Sequence, residues 1–451
     1  MTRVVVISPP FRSHAAPLSV LGAALRRAGA EVSLACTPAF ADLADRSGLG
    51  FAELNVTRNA NHGIAERTAQ DEGESARLRE FLAATARGAV PALLTQAGHR
   101  RADMLADPDR VLRDLRDLDG RVRPDWYVVD QLSYPVTLAL HCLGLAYASF
   151  CPGHPSYIPA GPDAYFGLPY AWPTTVRPDA ASLDRLREAA AANDTAFTAA
   201  FRASVGRHAP QRPVPERAFA LCSPHALVFN YPPFPWLPPA PAGPAALYAG
   251  HCGPDAAQLS RAWRDVVDRL ATGGRPLLLV ALGTFLSARH DVLRTAVEGI
   301  LQHTGASVIV AAGDRAAELG RAPALRDAPA GRLHIAATVP QQALLPLAAA
   351  MIHHGGNNSF TECLHAGVPA LVLPFSSDQF AIAHDAERAG LGRSLDPNSL
   401  DPPTVGAAVR ALLTGGRTAN DRVRDEVRAR GPQWAADELL RRMPVRTSST
   451  P

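Results

Sequence analysis

The chain has 451 residues, of which 47% are hydrophobic and 19% charged, and its net charge at pH 7 is +3. This length predicts two or three domains with ample core, and the small, evenly scattered charge argues against a nucleic-acid-binding or membrane-surface protein. All 45 basic residues are arginines, which excludes chemistry that needs a lysine amine, such as a Schiff base or a phosphate-binding loop lysine.

The six cysteines include no C-x-x-C pair, so the sequence predicts free thiols rather than a disulfide framework or a zinc site. The first apolar run, Val4 to Ile7, is too short for a signal peptide. No run approaches the roughly 18 apolar residues of a membrane span. We therefore expect a soluble cytoplasmic protein.

The first half of the chain alternates strand and helix patterns. Short apolar runs predict buried parallel strands at residues 3–8, 31–36 and 126–130. A Pro-rich loop at 9–13 separates the first strand from a helix whose leucines recur at helical spacing and which ends at Gly29. This order of strand, loop, helix and strand predicts a parallel α/β sheet.

A second α/β series follows a Pro-dense stretch at 231–244, which is the best linker candidate. We predict an N-terminal domain at 1–235 and a C-terminal domain at 236–451, with the last helix returning to the first domain. The elements predicted in the second half are strands at 276–281, 307–312, 333–337, 351–354 and 370–374, a helix at 291–303, and two helices within 403–443. Two facing doubly wound sheets bind their ligand in the crevice between domains, at the carboxyl ends of the strands.

One predicted strand-to-helix turn, running from His354 to Glu362 with the sequence HGGNNSFTE, concentrates glycines and polar residues. Such a turn presents backbone N–H groups and the positive end of a helix to an anion, and glycine lets a phosphate approach the backbone closely. His354, Asn358 and Ser359 would add side-chain donors, and Glu362 could accept from ribose hydroxyls. The alternative is a Gly-rich connection in which Asn and Ser only cap the helix.

This stretch resembles the nucleotide-sugar signature of the UDP-glycosyltransferase superfamily. The matching residues, in the family's order and spacing, are Pro340-Gln341, His354, Gly356, Asn358-Ser359, Glu362, Gly367-Val368-Pro369 and Asp378-Gln379. The resemblance implies an α/β fold of two facing Rossmann-like domains, the GT-B fold, with an interdomain cleft. It also implies that the donor binds to the C-terminal half and the acceptor to the N-terminal half.

The resemblance assigns roles to individual residues of the second half. It implies that His354, Asn358, Ser359 and the Gly356 amide hold the pyrophosphate, that Glu362 holds the ribose, and that Asp378 and Gln379 contact the donor sugar. The remaining donor contacts that it implies are Thr284 to a phosphate, the Val339 backbone to the base, and Gln341.

In the second half, two residues depart from the family pattern: Thr338 stands where many members carry tryptophan, and Asn357 stands where the plant enzymes carry it. Glu362 favours a UDP-sugar, since a ribose 2′-OH would give its carboxylate a second partner. A dTDP-deoxysugar is the alternative donor.

In the first half, His14 follows the first strand and Asp130 ends another strand of the same sheet. Imidazole suits general-base catalysis near neutral pH, and a carboxylate on its other nitrogen would fix the tautomer. The alternative is that His14 caps a helix and that Asp130 is an N-cap before Leu132. The segment resembles the family's G-H-x-x-P motif with its catalytic histidine, with Ser13 in place of glycine.

An aromatic segment at 150–173 shows neither helical nor strand periodicity. It is either ordinary core cover or the wall of an apolar acceptor pocket. The residues that we expect at such a wall are Phe150, Tyr157, Phe166 and Tyr170. The D-x-D patterns at 107–109 and 117–119 lie in an Arg-rich stretch that is typical of a solvated face, and the histidines lack metal-ligand spacing, so no metal site is predicted.

Together with the resemblance, these residues predict an inverting, metal-independent glycosyltransferase of natural-product or antibiotic biosynthesis. It would move a hexose from a UDP-sugar to a hydroxyl of a small apolar or polycyclic acceptor. No cofactor beyond the nucleotide sugar and no nucleic-acid partner are expected, and a homodimer is left open. The alternatives are a hydrolysing nucleotide-sugar epimerase, disfavoured by the signature, and a non-catalytic nucleotide-sugar-binding partner, disfavoured by an intact His14 and Asp130.

Overall fold

The computed structural model describes residues 1–56, 72–254, 258–326, 329 and 331–443, without the side chains of residues 102, 284, 285 and 324. Within these ranges the chain forms two parallel sheets flanked by helices. The predicted α/β class is confirmed, and the predicted strands agree with the observed ones to within two residues at each end.

The first sheet consists of β1 (Arg3–Ile7), β2 (Glu31–Cys36), β3 (Gly50–Glu53), β4 (Trp126–Asp130), β5 (Tyr147–Cys151), β6 (Ala226–Phe229) and β7 (Ala245–Tyr248). All pairs are parallel, in the order β3-β2-β1-β4-β5-β6-β7. Its helices are α1 (Arg12–Arg27), α2 (Ala41–Arg46), α3 (Glu72–Arg87), α4 (Ala89–Asp103), α5 (Pro108–Val122), α6 (Tyr134–Leu143) and α7 (Ala180–His208). The strand order reverses between β1 and β4, where a doubly wound sheet opens its ligand crevice.

The second sheet consists of β8 (Leu277–Ala281), β9 (Ser307–Ala311), β10 (Leu333–Ala336), β11 (Ala350–His353), β12 (Ala370–Val372) and β13 (Gly392–Ser394). It is also parallel, in the order β10-β9-β8-β11-β12-β13, and its order reverses between β8 and β11. The helices that follow β7 are α8 (Arg261–Leu270), α9 (Gly283–Leu286), α10 (His290–His303), α11 (Ala316–Gly320), α12 (Pro323–Arg326), α13 (Gln341–Leu344), α14 (Asn357–Ala366), α15 (Gln379–Arg388), α16 (Pro402–Thr414), α17 (Thr418–Arg428) and α18 (Gly431–Arg442).

The central strands are continuous apolar runs because helices cover both faces of each sheet. In β1, Val4 and Val6 pack into one core cluster, while Val5 and Ile7 pack into the cluster on the opposite face. All five residues of β8 are buried. Burial on both faces fixes the strand register, and with it the positions of the loops at the carboxyl ends.

The predicted domain boundary at residue 235 lies too early in the chain. Strand β7 follows the Pro-dense stretch and pairs with β6, so the first sheet extends to Tyr248. The last helix, α18, lies against α1, with Ala435 and Leu439 in the same core cluster as Leu18. The Pro-dense stretch at 231–244 is therefore a loop inside the first domain and does not mark the end of that domain.

Two further expectations differ from the structure. The sequence predicts two helices within 403–443, whereas the chain forms three there, because Gly431 adopts a φ of 78° and separates α17 from α18. Helix α1 begins at Arg12 instead of after the predicted loop, so His14 lies in its first turn. Pro17 lies inside this helix and has no amide hydrogen to donate to the Ser13 carbonyl.

The six cysteines are free and buried, as predicted. Among the described helices, none is long and apolar enough to cross a membrane. In the described part of the chain, no group of three or more His, Cys, Asp and Glu residues could hold a metal ion. The D-x-D aspartates lie on or next to α5, where Asp109 pairs with His208 at 2.7 Å and remains 46% exposed, as a solvated face would be.

Candidate functional site

A cleft of about 950 Å³ is lined by residues of both domains, at the carboxyl ends of the two sheets. From the first domain it includes His14, Pro152, Gly153 and Tyr157, and from the second it includes the turn between β11 and α14. The sequence-predicted cleft residues that line it are His14, Tyr157, Gln341, His354, Gly356, Asn358, Ser359, Glu362, Asp378 and Gln379.

His14 and Asp130 form a hydrogen-bonded pair, with His14 Nδ1 2.9 Å from Asp130 Oδ2. Asp130 is fully buried, whereas the His14 side chain is 21% exposed on the cleft. The other carboxylate oxygen, Oδ1, accepts from the Leu132 amide at 2.8 Å. Asp130 therefore contacts the imidazole and also accepts within the turn after β4. The capping alternative is wrong, because the N-cap positions of α1 and α6 are Phe11 and Ser133.

Burial lowers the pKa of His14, but the charge of Asp130 and its hydrogen bond outweigh burial and raise the pKa above 6.5. The charge of Asp378, across the cleft, acts in the same direction. Because a carboxylate can only accept, neutral His14 carries its proton on Nδ1. The unprotonated nitrogen is then Nε2, the position that a general base needs.

The turn between β11 and α14 has room for backbone alone. Gly355 adopts a φ of 86°, and a Cβ there would lie 2.9 Å from Val372. A Cβ on Gly356 would lie 2.4 Å from the His354 ring. The two glycines bring the positive end of the ten-residue helix α14 to the cleft, which is an arrangement that binds anions.

His354 is neutral at physiological pH, because burial lowers its pKa to about 4. Its Nδ1 is buried without a hydrogen-bond partner among the described residues. The ring also packs against Gly283, whose absent Cβ would lie 2.6 Å from it. His354 can thus offer one N–H to an anion in the cleft without carrying a charge itself.

Glu362 is held by two neighbouring amides. Gln341 Nε2 donates to Glu362 Oε2 at 2.5 Å and to Ser359 Oγ at 3.1 Å, and Gln342 Nε2 donates to Glu362 Oε1 at 2.9 Å. Burial raises the pKa of Glu362, while the hydrogen bonds from the two glutamines oppose this shift. Gln342 was not predicted, although it directly follows Gln341 in the signature.

Asp378 and Gln379 lie where β12 leads into α15. Asp378 Oδ2 accepts from the backbone amide of His154 at 2.9 Å. Gln379 Oε1 accepts from the amides of Phe375 at 2.9 Å and Ser376 at 3.1 Å, which closes the loop that leads into the helix.

A hydrogen bond joins the two walls of the cleft beside His14. Asn358 Nδ2 donates to the Ser13 carbonyl at 2.8 Å. This carbonyl is available because Pro17, four residues later, has no N–H to bond it within α1. The first turn of the His14 helix is thereby tied to the first turn of α14.

Two predicted donor contacts were not placed in the cleft. Thr284 lies in α9, and its side chain is outside the described part of the structure. The Val339 side chain packs against the core of the second domain, and its carbonyl accepts from the Gln341 amide at 2.9 Å. A contact between the Val339 backbone and a base stays a prediction.

Of the four aromatic residues expected at the acceptor wall, only Tyr157 lines the cleft. Phe150 is fully buried in β5 and points into the core under α1. Phe166 stacks on Phe219, with ring centroids 4.9 Å apart. The prediction is wrong for Phe150, Phe166 and Tyr170 because the segment is mainly core cover, the alternative that the sequence left open.

Tyr170 donates instead to Asp385, a carboxylate on α15 of the second domain. His154 Nε2 at 3.0 Å, Tyr231 at 2.8 Å and Trp236 at 2.9 Å bond the same carboxylate. Burial raises the pKa of Asp385, but the hydrogen bond and charge of His154, together with the hydrogen bonds of Tyr170 and Trp236, outweigh burial and hold this pKa below its usual range. This buried cluster attaches α15 to the first domain.

The first domain's side of the cleft is built mainly by α3 and α4, which the sequence analysis does not predict. Apolar Leu78 and Phe81 alternate there with charged residues. Arg77 bonds Glu74 at 3.1 Å and Asp103 at 3.0 Å. The sequences of α3 and α4 are typical of surface helices and contain no motif that distinguishes the residues that line the cleft.

Comparisons with known proteins identify similar glycosyltransferases. Residues 303–440 match the family described as "Erythromycin biosynthesis protein CIII-like, C-terminal domain". The chain is 29% identical over 196 residues to demethyllactenocin mycarosyltransferase of Streptomyces fradiae, covering 43% of this chain and 40% of the relative. It is 31% identical over 174 residues to NDP-glycosyltransferase YjiC of Bacillus licheniformis, covering 38% of this chain and 42% of the relative.

Solved structures match almost the whole chain. The glycosyltransferase of kitacinnamycin superposes with a TM-score of 0.66 at 21% identity, over 98% of this chain and 99% of that one. Glycosyltransferase VinC, solved in complex with dTDP, superposes with a TM-score of 0.65 at 20% identity, over 98% and 99% of the two chains. The GT-B fold and the predicted resemblance are confirmed, while the curated relatives are matched over about two fifths of their lengths.

Proposed function

We propose that this chain is an inverting glycosyltransferase of the natural-product type, within the UDP-glycosyltransferase superfamily. It would transfer a hexose from a nucleoside-diphosphate sugar to a hydroxyl of a small natural product. The observation that carries this proposal is that one cleft holds the His14–Asp130 pair on one wall and the N-terminus of α14 on the other. The first wall suits proton removal and the second suits a departing diphosphate.

In the proposed reaction, the acceptor hydroxyl attacks the anomeric carbon from the side opposite the diphosphate. A new carbon–oxygen bond forms as the bond to the diphosphate breaks, and the hydroxyl proton moves to His14 Nε2. Asp130 holds the ring and stabilises the imidazolium that results. A single displacement of this kind inverts the anomeric configuration.

The leaving diphosphate would be held by neutral donors and by a helix terminus. The amides at the start of α14, the Ser359 hydroxyl and the neutral His354 ring all face the cleft. Preorganised dipoles of this kind stabilise developing negative charge without reorganising during the reaction. We therefore propose that turnover needs no added metal ion.

For the donor we favour a UDP-sugar. The Glu362 carboxylate already accepts from Gln341 and Gln342, and a ribose with two hydroxyls would offer it one more donor than a deoxyribose. The second candidate is a dTDP-deoxysugar, supported by the similarity to VinC, which was solved with dTDP. The acceptor would carry both apolar and polar groups, as the lining of α3 and α4 does.

The proposal is tested by titrating UDP-glucose, UDP-GlcNAc and dTDP-glucose calorimetrically, with and without magnesium, into the wild type and His354→Ala. We expect metal-independent binding of one nucleotide series that weakens in the variant. Absence of binding by every nucleotide sugar would contradict the proposal. Binding without turnover of any acceptor would favour the non-catalytic partner.

A further inference from the structure

The loop that carries the donor-sugar residues is held from the opposite domain. Ser377, which precedes Asp378, has a φ of 58°, in the left-handed region that favours glycine. A non-glycine residue keeps such a conformation only where its surroundings enforce it, and such residues concentrate at functional sites.

The surroundings of Ser377 are side chains of the first domain. Its backbone amide donates to Gln96 Oε1, on α4, at 3.1 Å. Its hydroxyl lies 2.7 Å from the Tyr157 hydroxyl, and Arg100 Nη2 donates to it at 3.4 Å. The main chain and the side chain of Ser377 are therefore both bonded across the cleft.

Asp378 is fixed from the same domain. Its carboxylate accepts from the His154 amide at 2.9 Å, and the imidazole of His154 is itself bonded to Asp385 on α15. Gly153 leaves the space for this approach, because a Cβ there would lie 2.7 Å from Asp378 Oδ2 and 2.3 Å from the Tyr157 ring. The bonds of Gln379, by contrast, stay within its own loop.

We propose that Gln96 is a positioning residue for donor-sugar recognition. By holding the Ser377 amide, it keeps Asp378 and Gln379 oriented toward the hexose, so that the acceptor domain sets how well the sugar is recognised. The inference rests on the proposed function, because it takes the cleft to bind a nucleotide sugar. It concerns the sugar alone, since Gln96 has no bond to the turn that faces the diphosphate among the described contacts.

The test compares the affinity for a nucleotide with that for its sugar conjugate. We titrate UDP and UDP-glucose into the wild type, Gln96→Met and Arg101→Gln. If the titrations above select the dTDP series, dTDP and dTDP-glucose are used instead. Methionine preserves the helix propensity and approximate size of glutamine, but its thioether sulfur is only a weak hydrogen-bond acceptor. Arg101 lies on the same helix and bonds Asn193 at 3.1 Å instead of the loop, so it is the matched control.

We expect Gln96→Met to lower the ratio of sugar-conjugate affinity to nucleotide affinity by about threefold to tenfold, the value of one neutral hydrogen bond. Nucleotide affinity should be unchanged, and Arg101→Gln should behave as wild type. In an Asp378→Asn background, Gln96→Met should add little, because both changes act on the same contact. Gly153→Ala, which crowds Asp378 from the other side, should lower the same ratio.

The inference is overturned if Gln96→Met keeps the wild-type ratio, if it weakens nucleotide and conjugate equally, or if its effect adds in full to that of Asp378→Asn. Those results would leave the proposed function in place. If the wild type binds neither nucleotide sugar, the proposed function fails and the inference fails with it.

Discussion

The two walls of the cleft are built in different ways. The second domain's wall, which we propose binds the donor and call the donor wall, comes largely from one stretch of chain, from Gln341 to Gln379. The first domain's wall, which we propose binds the acceptor and call the acceptor wall, is assembled from segments as distant as His14, Arg77 and Gly153. A contiguous wall keeps its residue spacing in the sequence and can be recognised there. An assembled wall depends on how helices pack, and its chemistry becomes visible only in the fold.

The largest expected effect tests whether His14, on the acceptor wall, is the general base. His14→Ala should lower kcat by roughly 10²–10⁴-fold, the usual contribution of a positioned base, with the donor affinity retained. The measurement is steady-state turnover beside calorimetric titration of the nucleotide sugar.

The matched control for His14 is His208→Ala, which removes a surface His–Asp pair of 2.7 Å from the same domain. Its kcat should equal that of the wild type. Turnover of His14→Ala within threefold of the wild type would show that another group removes the proton.

The role of the donor wall is tested by measuring how tightly it binds a nucleotide. His354→Ala should weaken binding of the nucleoside diphosphate by about tenfold to a hundredfold, because it removes a donor to a charged group. An isothermal titration with the nucleotide alone measures this loss. Equal affinity in wild type and variant would mean that the His354 ring, whose Nδ1 has no hydrogen-bond partner among the described residues, has another role.

The pH dependence of catalysis links the two walls, because charges from both raise the pKa of His14. His14 acts as a base only when neutral, so kcat/KM should rise with pH through an apparent pKa above 6.5. In Asp130→Asn the attraction is lost while burial remains, and the acidic limb should move to lower pH. If the acidic limb of the kcat/KM profile lies at the same pH in Asp130→Asn as in the wild type, the titrating group is not His14.

The smallest expected effect is that of metal removal. With the diphosphate held by helix amides and neutral side chains, excess EDTA should leave kcat unchanged, as assayed before and after adding magnesium. A loss of activity that magnesium restores would require an ion at the donor wall.

The sequence predicted much of the fold and most of the donor wall, because both rest on local patterns. The apolar run of β8 and the turn ahead of Asn358 can be recognised without knowing their neighbours. Phe150 could not be placed in the core in this way, since an aromatic residue in a Pro/Gly-rich segment is equally compatible with a pocket. Gln96 carries no signal of its own in the sequence, because its hydrogen bond with the Ser377 amide joins residues 281 positions apart.

The buried Asp385 carboxylate has a consequence for recombining such proteins. Within the described part of the chain, the side chains that donate to this carboxylate all belong to the first domain and are those of His154, Tyr170, Tyr231 and Trp236. A chimaera that grafts this second domain onto a foreign first domain would bury that negative charge without its donors, at a cost of several kcal/mol. Domain exchange should therefore carry these donors along with the graft or replace Asp385 with an apolar residue of similar size.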